Sequence, residues 1–92
     1  MKRIDFSSLE MEIRIGEYNH LDLRKELGNV LFANATTLEV DQLARKVFNA
    51  PEGEIEVNSQ EYDLLIQSLQ TGAVKFSVIK AIQEGVKEIP RT

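Results

Sequence analysis

Val40-Asp41-Gln42-Leu43-Ala44-Arg45-Lys46-Val47-Phe48 sets Val40, Leu43, Ala44, Val47 and Phe48 at i, i+3, i+4, i+7 and i+8. On a helix that spacing is one continuous apolar stripe. Thr37, or the turn Glu39-Val40-Asp41, supplies the start. Arg45 and Lys46 fall in the last turns, where the helix dipole favours positive charge. Asn49-Ala50-Pro51-Glu52-Gly53 stops the helix. The reading therefore begins from a helix over 38–49 with Val47 and Phe48 in the core.

Downstream, Glu54-Ile55-Glu56-Val57 alternates as a short strand. Asn58 or Ser59 then caps a helix; with Asn58 as the cap, Glu61 stands at the third helical position, which is a capping box. Tyr62, Leu65, Ile66 and Leu69 form its inward stripe. After Thr71-Gly72 a last helix carries Val78, Ile79, Ile82 and Val86, and Pro90 marks its end. Upstream, Asp22 caps a helix with Leu23, Leu27, Val30, Leu31 and Asn34 at helical spacing. Gly28 interrupts that pattern: either another backbone packs closely there, which is the expectation, or the helix breaks. Leu9, Met11, Ile13 and Ile15 alternate with Glu10, Glu12 and Arg14, the signature of a half-buried strand, and Ile4 and Phe6 extend it beyond a bend at Ser7-Ser8. Gly16 ends this strand and Glu17-Tyr18-Asn19-His20 reads as a loop.

The outline is α+β, in the order β-α-α-β-α-α, with four helices on a short two-stranded antiparallel sheet. Leu9–Ile15 is expected to pair with Glu54–Val57, with Met11, Ile13, Ile55 and Val57 facing the helices. The length of 92 residues allows a single domain over 1–92, with a radius of gyration of roughly 12 Å. At 42% hydrophobic and 28% charged residues, the composition is that of a globular chain.

The absence of cysteine excludes a disulfide framework, a thiolate metal site and a cysteine nucleophile. The longest apolar run, Val30-Leu31-Phe32-Ala33, falls far short of the ~18 residues of a membrane span, and no signal-peptide core follows Lys2-Arg3. A cytoplasmic location away from membranes is expected. The net charge of −4 disfavours a bulk electrostatic grip on nucleic acid, which needs Lys and Arg to displace counterions. Residues 51–70 hold Glu52, Glu54, Glu56, Glu61 and Asp63 with no basic residue, whereas 71–92 hold Lys75, Lys80, Lys87 and Arg91. The two segments are expected to face each other or water.

Chemistry-bearing groups are sparse. His20 lies near Asp22, but nucleophilic catalysis also needs a Ser or Thr oriented against it, and an exposed loop histidine is the simpler reading. Glu52, Glu54 and Glu56 would project from one strand face, where carboxylates could bind a hard cation; guarding an edge strand against unwanted pairing accounts for them better. The glycines form no phosphate-binding loop. Val40–Val47 has the flavour of the first helix of a helix-turn-helix, yet an acidic strand follows it, not a basic recognition helix. No catalytic, metal or cofactor residue emerges. The expected interaction surface comprises Tyr18, His20 and the basic pairs Arg24-Lys25 and Arg45-Lys46, which would form one patch if their helices pack side by side.

The run Asp22-Leu23-Arg24-Lys25-Glu26-Leu27-Gly28-Asn29, the helix after it, Glu54-Ile55-Glu56-Val57 and the Ser-x-x-Tyr helix start resemble small uncharacterised proteins encoded in prophages and mobile elements. The likeness spans about residues 9–70. It implies a phage or mobile-element setting and a binding or assembly role, not an enzyme, and brings no catalytic or ligand residues. The expectation is a non-enzymatic protein-interaction or assembly module. The alternative is a small nucleic-acid-binding regulator using a basic helix over Lys75–Arg91. Because Leu9–Ile15 outruns Glu54–Val57, a homodimer is also expected, pairing Leu9–Ile15 across a two-fold axis or covering the exposed sheet.

Overall fold

The computed structural model describes residues 2–72 and 74–88. Its elements are β1 (Lys2–Ile4), β2 (Leu9–Arg14), β3 (Glu17–Leu21), α1 (Arg24–Ala33), α2 (Leu38–Phe48), β4 (Ile55–Val57), α3 (Ser59–Thr71), α4 (Phe76–Gly85) and β5 (Lys87–Glu88). The class is α+β with four helices, as the apolar periodicities predict. The Cα radius of gyration is 12.6 Å.

Helix α2 starts where expected and ends at Phe48, one residue short of the expected 49, with Asn49 as its C-cap. The Thr37 hydroxyl accepts from the Val40 amide at 3.3 Å, and Val40, Leu43, Ala44 and Val47 are buried. Phe48 is only partly buried, a correction to its placement in the core. The reason lies in α1, which runs unbroken through Gly28: a Cβ on Gly28 would stand 2.6 Å from the Phe48 Cβ and 2.9 Å from its Cα. Phe48 meets backbone, so its ring turns toward the rim of the helix pair. The expected capping box of α3 is present, with Asn58 Oδ1 accepting from the Glu61 amide at 2.7 Å and Glu61 Oε1 accepting from the Asn58 amide at 3.0 Å.

The strand partners differ from the expectation. β4 pairs antiparallel with β1 (Ile4 opposite Ile55), and β1 pairs on its other side with β5 (Arg3 opposite Lys87). β2 pairs instead with β3, with Leu9 opposite Leu21 and Glu12 opposite Tyr18. Residues 17–20, expected as a loop, are thus most of a strand. Gly16 at φ +81 explains why: a left-handed residue after Ile15 reverses the chain in two residues and returns it along β2. β2 keeps Leu9 and Met11 buried, but Ile13 is 47% exposed and Ile15, in the turn, 100% exposed; Ile13 does not face the helices as expected. The chain turns at Phe6–Ser8 between β1 and β2, and the Leu23 amide bonds the Phe6 carbonyl at 3.0 Å, tying this corner to the entry of α1.

The last helix ends at Gly85, five residues before Pro90, and Pro90 and Arg91 lie outside the described residues. One core joins the four helices to β1, β2 and β4, built around Ile4, Phe6, Leu31, Val47, Val57, Leu65, Leu69 and Ile82.

Gly28→Ala gains helix propensity of about 1 kcal/mol but must force α1 and α2 apart at the Phe48 backbone, an overpacking cost of about 1–3 kcal/mol or more. Urea denaturation is expected to show a net loss of stability. Asn58→Ala removes one capping-box bond and is expected to cost about 1 kcal/mol in the same assay.

Candidate functional site

The close approach at Gly28 builds a shallow groove between α1 and α2. Gly28, Asn29 and Phe32 of α1 line it with Ala44, Arg45 and Phe48 of α2 and Asn49 beyond. It continues past Phe48 and Asn49 to Asp22, Arg24, Lys25 and Glu26. Phe32 is 55% exposed. The Lys25 Nζ stands 4.3 Å from the centre of the Phe48 ring and the Arg45 guanidinium 5.7 Å from that of Phe32, both within cation–π range. The groove thus carries two aromatic rings with a cation over each, and Asn29 and Asn49 complete its lining.

Of the six residues expected to form an interaction surface, three line this groove: Arg24, Lys25 and Arg45. Arg24 has a structural duty as well. Its Nε and Nη2 donate to the two Asp22 oxygens at 3.0 and 2.7 Å, and its Nη1 donates to the Ala50 carbonyl at 2.8 Å, clasping the start of α1 to the end of the α2 segment. The helix begins one residue later than an Asp22 cap would set, with Leu23 at the cap position, although Asp22 Oδ1 still accepts from the Arg24 amide at 3.2 Å. Lys46 points away from the groove to α3, with its Nζ 3.0 and 3.1 Å from the Glu61 oxygens.

Tyr18 and His20 lie on β3 and line neither part of the groove. Tyr18 borders a separate hollow with Glu10, Ala81, Glu84 and Gly85. His20 Nδ1 is 3.0 Å from Ser8 Oγ, a serine the sequence did not single out because it is twelve residues away and meets His20 only through the hairpin register. Ser8 and His20 are both exposed and neither lines the groove or the Tyr18 hollow. Acyl transfer would need donors preorganised around a developing oxyanion in a water-excluded site; this open surface pair braces the entry to the hairpin.

Sequence reasoning missed Phe32, Asn29 and Asn49. Phe32 carried a usable signal: it is a large apolar residue off the Leu23-Leu27-Val30-Leu31 stripe, so it had to face something other than the core.

Of the basic residues near the C-terminal end, Lys80 and Lys87 face carboxylates. Lys80 contacts Glu12 at 3.4 Å and Glu84 at 4.0 Å, and Lys87, on β5 instead of a helix, contacts Glu54 at 3.1 Å. Glu56, on β4, pairs with Arg3 at 3.2 Å. The acidic and basic segments therefore meet at Glu54 and Lys87, one of the two arrangements expected. Among the described residues no group of three His, Asp or Glu side chains is placed to hold a metal ion, and no helix is long and apolar enough to cross a membrane. No protein-family model, curated protein or solved structure matches this chain.

Two carboxyls are held below their usual range. The hydrogen bonds from the Arg24 side chain, then from its amide, lower Asp22 from 3.8 to about 2. Glu12 is lowered first by the Gly16 amide, at 3.0 Å, and then by Lys80. For Asp22 the folded value lies below the unfolded one, so its clasp contributes fully above pH 3.8 and is lost as pH falls through about 2. An NMR titration of the Asp22 carboxyl carbon is expected to give a midpoint near 2, and Arg24→Ala is expected to return it toward its ordinary value.

Proposed function

We propose that this chain is a non-enzymatic protein-interaction module whose docking surface is the α1–α2 groove. The observation that carries this reading is Phe32, a large aromatic left half-exposed beside a partly buried Phe48, with Arg45 and Lys25 over the two rings. Aromatic and Arg side chains in a depression with a polar rim are the groups that dominate binding energy at protein interfaces. The groove suits a protein segment that inserts an apolar side chain against the rings and sets hydrogen-bonding groups against Asn29 and Asn49. The resemblance of residues 9–70 to small prophage and mobile-element proteins supplies the setting, an assembly role in a phage or mobile element, and a cytoplasmic site of action accords with it.

Nucleic-acid binding through the C-terminal segment is the less favoured reading. Lys80 and Lys87 already face carboxylates, which reduces the charge they can offer to replace counterions on a phosphate backbone.

Phe32 replaced by a photoreactive phenylalanine is expected to crosslink one discrete protein in cells that carry the gene, and Arg45→Glu is expected to abolish that adduct. A nucleic-acid adduct would overturn the reading. So would a silent position 32 alongside a protein adduct from the same photoreactive residue at Tyr18, which would move docking to the hairpin.

A further inference from the structure

We propose that the outer edge of β3 is a self-pairing edge, on which a second copy of this chain lays its own β3 antiparallel to form a four-stranded sheet in the order β2-β3-β3-β2. This dimer uses a surface separate from the one assigned above, since none of the residues of β3 lines the α1–α2 groove.

β3 has one backbone edge on β2 and, among the described residues, no strand on the other. All five of its residues are exposed. Sheet edges are ordinarily protected by charge or proline. In this molecule β4, the end strand of the other sheet, carries Glu56 with Glu54 just before it. The β3 sequence Glu17-Tyr18-Asn19-His20-Leu21 has no Lys, Arg or Pro, and its one carboxylate stands at the end, beside Arg14. The edge is open and lacks the usual deterrents.

Self-complementarity fixes the register. A two-fold axis at Asn19 pairs every residue of the strand: Glu17 with Leu21, Tyr18 with His20, and Asn19 with its own copy. Centring on Tyr18 or His20 leaves the ends of the strand unpaired. In the Asn19 register no like charges oppose each other. The Tyr18–His20 ring pairs lie on one face of the sheet and the central pair of Asn19 amides on the other, and each amide offers both a donor and an acceptor. Pairing over this length supplies about four to six backbone hydrogen bonds, depending on whether Asn19 occupies a hydrogen-bonded or a non-hydrogen-bonded pair. The interface is small beside the ~1,200–2,000 Å² of stable complexes, so the dimer is weak and concentration-dependent. The dimer expected from the sequence used Leu9–Ile15 as its edge; β3 occupies one side of that strand and carries an outer edge of its own, all of whose residues are exposed.

Sedimentation of the full chain from about 5 to about 500 µM tests this. The wild type is expected to shift from monomer toward dimer over that range. Asn19→Lys, which faces two ammonium groups across the axis, is expected to raise the dissociation constant about two- to fivefold, while Gln42→Lys on α2, with the same charge change, leaves it unaltered. Amide exchange on the wild type needs no variant: the outward-facing amides of β3 are expected to gain protection as the dimer fills. A monomer at every concentration overturns the proposal. A dimer that forms without added protection on β3, or that is equally tight in Asn19→Lys, also overturns it. If Phe32→Ser then dissolves that dimer, the second copy sits in the groove instead.

Discussion

The contact between Gly28 and the backbone of Phe48 is the constraint on which the rest of this structure depends. With no Cβ on Gly28, α2 approaches α1 until its Phe48 Cα lies 2.9 Å from where that Cβ would be. This is the most extensive helix–helix contact in the chain. It aligns Leu27 and Leu31 with Leu43, Ala44 and Val47 in the core. It also sets Phe32 and Arg45 on opposite sides of one groove and leaves the Phe48 ring at the rim under Lys25. The glycine that costs α1 helix propensity is thus the reason that the groove exists.

Charge is used mostly to connect elements. Arg24 ties the start of α1 to Ala50, Lys46 joins α2 to α3, Lys80 joins α4 to β2, and Lys87 joins β5 to Glu54. Exposed pairs of this kind contribute little stability individually, about 0–1 kcal/mol. Their larger consequence is for binding: Arg24, Lys46, Lys80 and Lys87 each spend their charge on a carboxylate. Near the groove Lys25 and Arg45 stand over aromatic rings, and Arg45 also pairs with Asp41 at 3.1 Å.

The hairpin shows one sequence pattern serving two environments. Leu9 and Met11 alternate into the core, whereas Ile13 and Ile15 continue the same alternation out into water. The register shift between Glu12 and Arg14 loosens the ladder where that change occurs, and the Gly16 amide on Glu12 closes the turn. The result projects an apolar tip and an unguarded strand away from the core.

The helices were legible because each carries local signals. The stripe of α2, the Thr37 cap and the Asn58–Glu61 box are read within a few residues and need no distant partner to form. The glycine in α1 was half legible: within its stripe Gly28 meant either a close neighbour, the expected reading, or a break, and the packing against Phe48 decided between them. Strand pairing was not legible, because backbone hydrogen bonds are nearly indifferent to side-chain identity: nothing in Leu9–Arg14 distinguishes Glu17–Leu21 from Ile55–Val57 as a mate. The left-handed turn at Gly16 settled that choice, and β1, too short to announce itself, took β4. The groove was half legible. Arg24, Lys25 and Arg45 could be named as exposed basic residues, but their meeting with Phe32, and the diversion of Lys46 to Glu61, follow from how α1, α2 and α3 pack. By itself the sequence determined the helices, their caps and the α+β class, since these arise from local periodicity and short-range hydrogen bonds. The tertiary structure alone decided the strand partners, the aromatic groove and the open edge of β3, since each depends on contacts between segments that are far apart in the chain or brought together by its turns.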